Sequence, residues 1–301
     1  MKDIEKMRRN KRHHKYLSSN NGKRGLQIRR WILILFILIG GAGAFGLGAF
    51  LAVRVDEHEQ MRLLQQKVQE STDTWTQPQE TVQPVTIPQQ NTMPSETEAV
   101  TEPEERKVLS QYTQLHQENE DFIGWIRIDD TRIDYPVMQS RDEPERYLHA
   151  DFEKNYSYAG LPFLDAKCSE DSDNMLIYAH NMLDGSMFRS LLSYEKKDYW
   201  EQHPVIRFDT LYEEQEYEVL AAFYDRVYYK TEDVFKFYQF IDAEDQEEYN
   251  AAVEQFKGKS LYDTGVEASY GDQLITLVTC AYHTENGRFV VVARKIPENR
   301  K

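Results

Sequence analysis

The chain has 301 residues, 36 Lys and Arg against 51 Asp and Glu, a formal net charge of −15, and two cysteines. Two cysteines in this length exclude a disulfide-stapled scaffold. The charge is uneven: residues 1–30 hold eleven Lys/Arg against Asp3 and Glu5, leaving −24 for the rest, which excludes a basic nucleic-acid-binding body.

Directly after the basic head comes WILILFILIGGAGAFGLGAFLAV, residues 31–53, without a single charge. A run of this length suffices to cross the hydrocarbon core as a helix. It exceeds the apolar region of about 7–15 residues expected of a cleaved signal peptide, so it is read as a transmembrane helix. KRGLQIRR precedes it and RVDEHEQ follows. The positive-inside rule therefore predicts a cytoplasmic tail at 1–30 and an extracytoplasmic remainder. Residues 54–103 are expected to form a stalk and linker. The first part, to residue 70, is helix-prone. The second is rich in Pro, Thr, Gln and Glu and holds five of the ten prolines. Such a tract buries too little apolar surface to offset its chain entropy and reads as a tether.

The character changes at residue 104, and 104–301 is predicted to be one folded domain. Leu109, Tyr112, Leu115 and Phe122 suit one or two short helices. Then come WIRIDDTRIDYPVMQ, GLPFLDA, NMLIYAHN, PVIRFDTL, YEVLAAFYDR, QLITLVTC and RFVVVARKI. These short β-branched or aromatic runs, parted by turn residues, predict a barrel or a sandwich. One helix interrupts them, DAEDQEEYNAAVEQFKG, with Asp242 as the expected N-cap and Gly258 just past the end. Its apolar stripe is Tyr249, Ala252, Val253 and Phe256.

Strand periodicity puts Leu274, Thr276, Val278 and Cys280 on one face, and Arg288, Val290, Val292 and Arg294 on one face of the next run. If AYHTENG closes a hairpin between them, Cys280 and Arg288 stand opposite each other, and Asn286-Gly287 is a strong turn dipeptide. A guanidinium beside a thiol favours thiolate and can donate to an oxyanion. A nearby imidazole would supply the remaining activation; His180, closing NMLIYAH before a loop, sits at a strand end of the kind from which loops build sites, a position that a purely structural histidine also takes. Periodicity alone leaves open that Cys280 closes a buried strand and that Arg288 makes a surface ion pair.

TLVTC, followed eight residues later by the Arg of RFVVVAR, resembles the active-site hairpin of sortases, the cysteine transpeptidases of Gram-positive cell surfaces. IYAHNMLDGSMF resembles their histidine segment in its class B form, NEDFIGWIRIDDTRIDYPVMQ the class B opening, and the helix at 242–258 the class B insertion helix. The resemblance runs collinearly over about residues 104–296, with His before Cys before Arg. Papain-like and related cell-wall peptidases place Cys first, and only His283 follows Cys280 here.

The resemblance implies a mainly β fold, a closed eight-stranded β-barrel with N-terminal helices and one helix inserted before the cysteine strand. It implies that Cys280 is the nucleophile that becomes an acyl-thioester. His180 is the implied proton donor and acceptor, and Arg288 the group that holds the substrate carbonyl and its oxyanion. Val278, Thr279 and Asn181 are the implied groove residues. The implied reaction cuts a C-terminal sorting signal after threonine and joins the new carboxyl to an amine of peptidoglycan precursor or of a pilin. No cofactor and no metal are expected. A peptidase that releases its acyl group to water, and a non-catalytic tethered barrel, are the competing readings. Val278 departs from the serine frequent two residues before the class B nucleophile, and Ala179 from a frequent glycine. Cys168 matches no family role and is expected to be a free thiol in or near a turn.

Overall fold

The structure is a computed structural model that describes residues 57–72 and 106–297. The basic head, the apolar stretch 31–53 and most of the Pro-rich linker lie outside the described residues. No described helix is long and apolar enough to cross a membrane. The chain divides into units 1–59 and 60–301. Of the first, only residues 57–59, the start of helix α1 (57–72), are described.

Among the described residues of the second unit, eight strands close into a barrel. They are β1 Phe122–Arg127, β2 Asp134–Met138, β3 Phe163–Leu164, β4 Asn174–Tyr178, β5 Val205–Thr210, β6 Glu216–Arg226, β7 Leu274–Cys280 and β8 Gly287–Lys295. Their order round the barrel is β1-β2-β3-β4-β7-β8-β6-β5, and β1 pairs with β5 to close it. Closure removes the exposed edges that an open sheet of this length would present. The expected barrel is therefore present, and the sandwich is excluded. Two pairs are parallel, β2 with β3 and β4 with β7. The second of these matters for function, because parallel neighbours end together and project their next residues from the same rim.

Each strand divides its side chains between two environments. Ile275 and Leu277 of β7, Phe289 and Val291 of β8, and Ile177 of β4 fill the barrel interior. Leu274 and Val278 of β7 and Val290 and Val292 of β8 point outward, yet they are buried too. They join one apolar cluster with Tyr249, Ala252, Val253 and Phe256 of helix α4, Gln246–Lys259, and with Phe237 and Phe240. A strand covered on both faces reads as a continuous β-branched run instead of an alternating one, which accounts for LITLV and FVVVA.

Helix α4 begins later than its sequence suggests. Its N-cap is Asp245, whose side chain accepts from the Glu248 backbone N–H at 2.9 Å. Asp242 instead accepts from the Asp173 N–H at 3.1 Å, tying the approach to α4 to the start of β4, and Gly258 lies inside the helix. A cap is worth about 1 kcal/mol, whereas each fully buried large apolar side chain is worth about 1.5–3 kcal/mol. The stripe, more than the cap, holds α4 on the sheet. On another part of the barrel wall, helix α2 (Ser110–Glu118) buries Tyr112 and Leu115 against Phe122, Trp125 and Met138. Leu64 of α1 joins that cluster, and the Gln65 amide donates to the Asp134 carbonyl at 2.8 Å. The folded unit thus draws in residues from well before 104. Helix α3 is the short segment Lys197–Gln202.

Candidate active site

The site lies where β4, β7 and β8 end or begin side by side. Strands β7 and β8 pair in the register Val278↔Val290, Thr279↔Phe289, Cys280↔Arg288. Cross-strand partners share a face, so the thiol and the guanidinium emerge together from the rim. The connecting loop allows this register through Asn286, in the left-handed region at φ 55, and through Gly287, where a Cβ would lie 2.2 Å from the Ala281 carbonyl oxygen.

On the other side of β7, β4 pairs in parallel with Tyr178 opposite Val278. The pairing continues past the strand ends: the Ala179 N–H donates to the Val278 carbonyl at 3.2 Å, and the Thr279 hydroxyl to the Ala179 carbonyl at 2.9 Å. Two residues beyond Tyr178 and Val278 are His180, just past the end of β4, and Cys280, the last residue of β7. The Asn181 amide locks the junction by donating to the Cys280 carbonyl at 2.8 Å, while its own oxygen accepts from Arg189 at 2.9 Å. The structure therefore brings the end of β7 with Cys280, the start of β8 with Arg288 and the segment just past β4 with His180 to one rim.

Cys280 is partly exposed and free. Arg288 makes no side-chain pair among the described residues: one guanidinium nitrogen donates to the Gly287 carbonyl at 3.0 Å and the Asn286 carbonyl at 3.3 Å. Its register partner on β6, Asp225, is taken by Lys259 at 3.0 Å and the Tyr228 hydroxyl at 2.5 Å. A guanidinium has five N–H donors, so donors remain for an incoming oxygen. His180 is half-buried, and Nε2 lies 2.9 Å from the Leu148 carbonyl oxygen. Burial pushes the His180 pKa down, the Leu148 carbonyl opposes that, and the nearby His149 ring adds to the lowering. The imidazole is thereby biased toward its neutral, proton-accepting form.

The three groove candidates behave differently from expectation. Val278 and Thr279 are 1 % and 2 % exposed. Val278 is packed into the apolar cluster that α4 shares with Phe237 and Phe240, and Thr279 spends its hydroxyl on Ala179, so neither side chain lines an open groove. Asn181 is also buried and holds the strand ends together. His283 is exposed, with its ring 4.7 Å from that of Tyr224. Tyr224 pairs with Phe289, on the row facing opposite to Arg288, which takes His283 away from the thiol.

Cys168 is free and fully buried, as far from reactive as a thiol can be made here. Its sulfur accepts from the Leu176 N–H at 3.5 Å, and burial pushes its pKa up to about 12. A thiolate is the reacting species. A methanethiosulfonate reagent added to the native protein is therefore expected to modify Cys280 alone, with Cys168 reacting only after denaturation. Mass mapping of the modified peptides checks this, and equal native labelling of both would contradict it.

Two contributors have no local sequence signal: the Leu148 carbonyl and the His149 ring. They belong to a single-turn 3-10 helix, Arg146–Leu148, and the residue after it. Only the closed barrel carries that turn to His180.

A sortase domain family matches residues 126–296. Sortase B of Listeria monocytogenes is 34% identical over 197 residues, covering 63% of this chain and 76% of that protein. Among solved structures, a Staphylococcus aureus sortase B–substrate complex superposes with a TM-score of 0.64 at 26% identity, over 81% of this chain and 98% of that one. A sortase B complexed with triglycine gives a TM-score of 0.64 at 27% identity, over 81% and 99%.

Proposed function

The chain belongs to the sortase family and is a class B cysteine transpeptidase; on that premise we propose that Cys280, His180 and Arg288 carry its chemistry on surface-protein sorting signals. The observation that carries this reading is the Cys280↔Arg288 register with His180 beside it on the parallel neighbour. The Cys280 sulfur, its proton passed to His180, attacks the carbonyl carbon of the threonine in a C-terminal sorting signal. The developing oxyanion takes donors from Arg288. His180 then gives the proton to the leaving amine as the C–N bond breaks, and the acyl group remains on sulfur as a thioester. An incoming amine loses its proton to His180, attacks the thioester, and releases Cys280.

The substrate complex of the S. aureus relative supports a peptide donor, and the triglycine complex supports an amine-bearing acceptor. In this chain the acceptor is an amine of peptidoglycan, its precursor or a pilin. The basic head and the uncharged stretch 31–53 support a single-pass anchor with the catalytic domain on the outer face. There the enzyme meets substrates that are themselves held at the membrane.

Incubating the protein with a panel of sorting-signal peptides and triglycine tests the reading. A peptide–triglycine product is expected. Hydrolysis alone, even at high triglycine, would replace transfer with peptidase activity.

A further inference from the structure

The imidazole of His180 is held from outside its own strand. The Leu148 carbonyl can only accept, so the 2.9 Å contact requires that Nε2 carry the hydrogen. In the neutral ring Nδ1 is then the nitrogen with the lone pair. The His149 ring lies against His180 with centroids 5.4 Å apart and planes at 35°, and Tyr156 stacks on His149 at 6.2 Å and 24°.

The backbone that presents these groups is fixed with little slack. The Leu161 N–H donates to the Tyr147 carbonyl at 2.9 Å, and the Ser157 N–H to the His149 carbonyl at 3.0 Å. Ala150 bridges Tyr156. Gly160, at φ 59, packs flush against the same turn: a Cβ there would fall 2.5 Å from the Leu148 carbonyl oxygen. Tyr147 is buried beneath, its hydroxyl donating to Asp121 at 2.8 Å.

We propose that the segment 147–160 is a positioning element for His180, in which the Leu148 carbonyl sets the Nε2–H tautomer and the His149 ring, backed by Tyr156, holds the imidazole and opposes its charging. The proposal rests on the reading of His180 as the proton-transfer group. It assigns Nδ1 as the atom that exchanges the proton with Cys280 and with the two amines. Other titratable or charged groups on the surrounding elements are Arg146 on the turn, Tyr178 on β4, Cys280 on β7, Arg288 on β8, and Asp184 and Arg189 in the loop after His180. Of these, Arg146 is paired with Glu143, Asp184 accepts from Ser186, and Arg189 donates to Asn181. Burial is the larger cause of the lowered proton affinity of His180, and the His149 ring adds to it in the same direction.

The test uses the protein with ¹⁵N-labelled histidine, in its native form and as Cys280→Ala, so that the reading needs no turnover. Long-range ¹H–¹⁵N spectra are expected to find His180 as the Nε2–H tautomer in both. His149→Gln should raise the His180 titration midpoint and move the matching limb of the transfer pH profile with it. Tyr156→Ala, at a 77 % exposed position where folding is not at stake, should loosen the stack and give a smaller shift of the same sign. Gly160→Ala should mix the tautomers. A dominant Nδ1–H tautomer, or a His180 midpoint unmoved in His149→Gln, overturns the proposal. Transfer surviving in Cys280→Ala would instead remove the reading beneath it while leaving the tautomer result in place.

Discussion

Cys280→Ala should abolish acyl transfer, a loss of roughly 10⁴-fold or more, in a protein whose melting temperature barely moves. The two halves of that expectation have separate origins. The side chain is partly exposed at the end of β7, and the bond that anchors the residue uses its backbone carbonyl, which alanine retains. Removing a nucleophile, by contrast, removes the covalent intermediate altogether, and Cys168 cannot substitute from its buried position with a thiol pushed up to about 12. A tethered binding barrel without catalysis would keep its function in this variant. Transfer assay and thermal melt, run on the same preparation, separate these outcomes.

Arg288→Ala should lower kcat for transfer by about 10²–10³-fold, the usual cost of losing a donor to an oxyanion. The hairpin should survive. The present hydrogen bonds of Arg288 go to the two residues just before it, and its neighbours in the face, Val290 and Val292, supply the packing. Arg288→Lys should recover only part of the loss, because an ammonium is a point charge and lacks the planar fork that can bond a turn carbonyl and an oxyanion together. Substrate KM should change less than kcat in both variants, since the charge on the oxygen develops in the transition state. A variant with full kcat would show that Arg288 is a structural part of the turn and nothing more.

The parts of the site that follow from local pattern are legible in the sequence. Two β-branched runs flanking an Asn-Gly turn define the β7–β8 register, and the register alone opposes Cys280 to Arg288. His180 ends a strand, and a strand end is visible locally. What pattern does not convey is which outer faces are covered. Val278 alternates onto the face of Cys280, but only the apolar cluster assembled on that face by tertiary packing decides that it is buried while Cys280, two residues on, is not. The start of α4 departs from expectation for a related reason: Asp242 and Asp245 are both good caps in isolation, and the long-range bond from Asp173 claims the first. His149 lies in a turn 31 residues before His180, and no periodicity links them. Their contact exists because β3 pairs with β4 and brings the preceding loop to the same rim. Likewise α1 is helix-prone by composition, but its contribution of Leu64 to the wall of the barrel is a tertiary fact.

The most direct measurement of the central claim is to trap the acyl-enzyme. A sorting-signal peptide given without an amine acceptor, quenched in acid and read by intact mass and peptide mapping, should leave the peptide's N-terminal fragment on Cys280 as a hydroxylamine-labile thioester. An adduct on any other residue, or transfer to triglycine proceeding while Cys280 stays unmodified and alkylatable throughout, would contradict it.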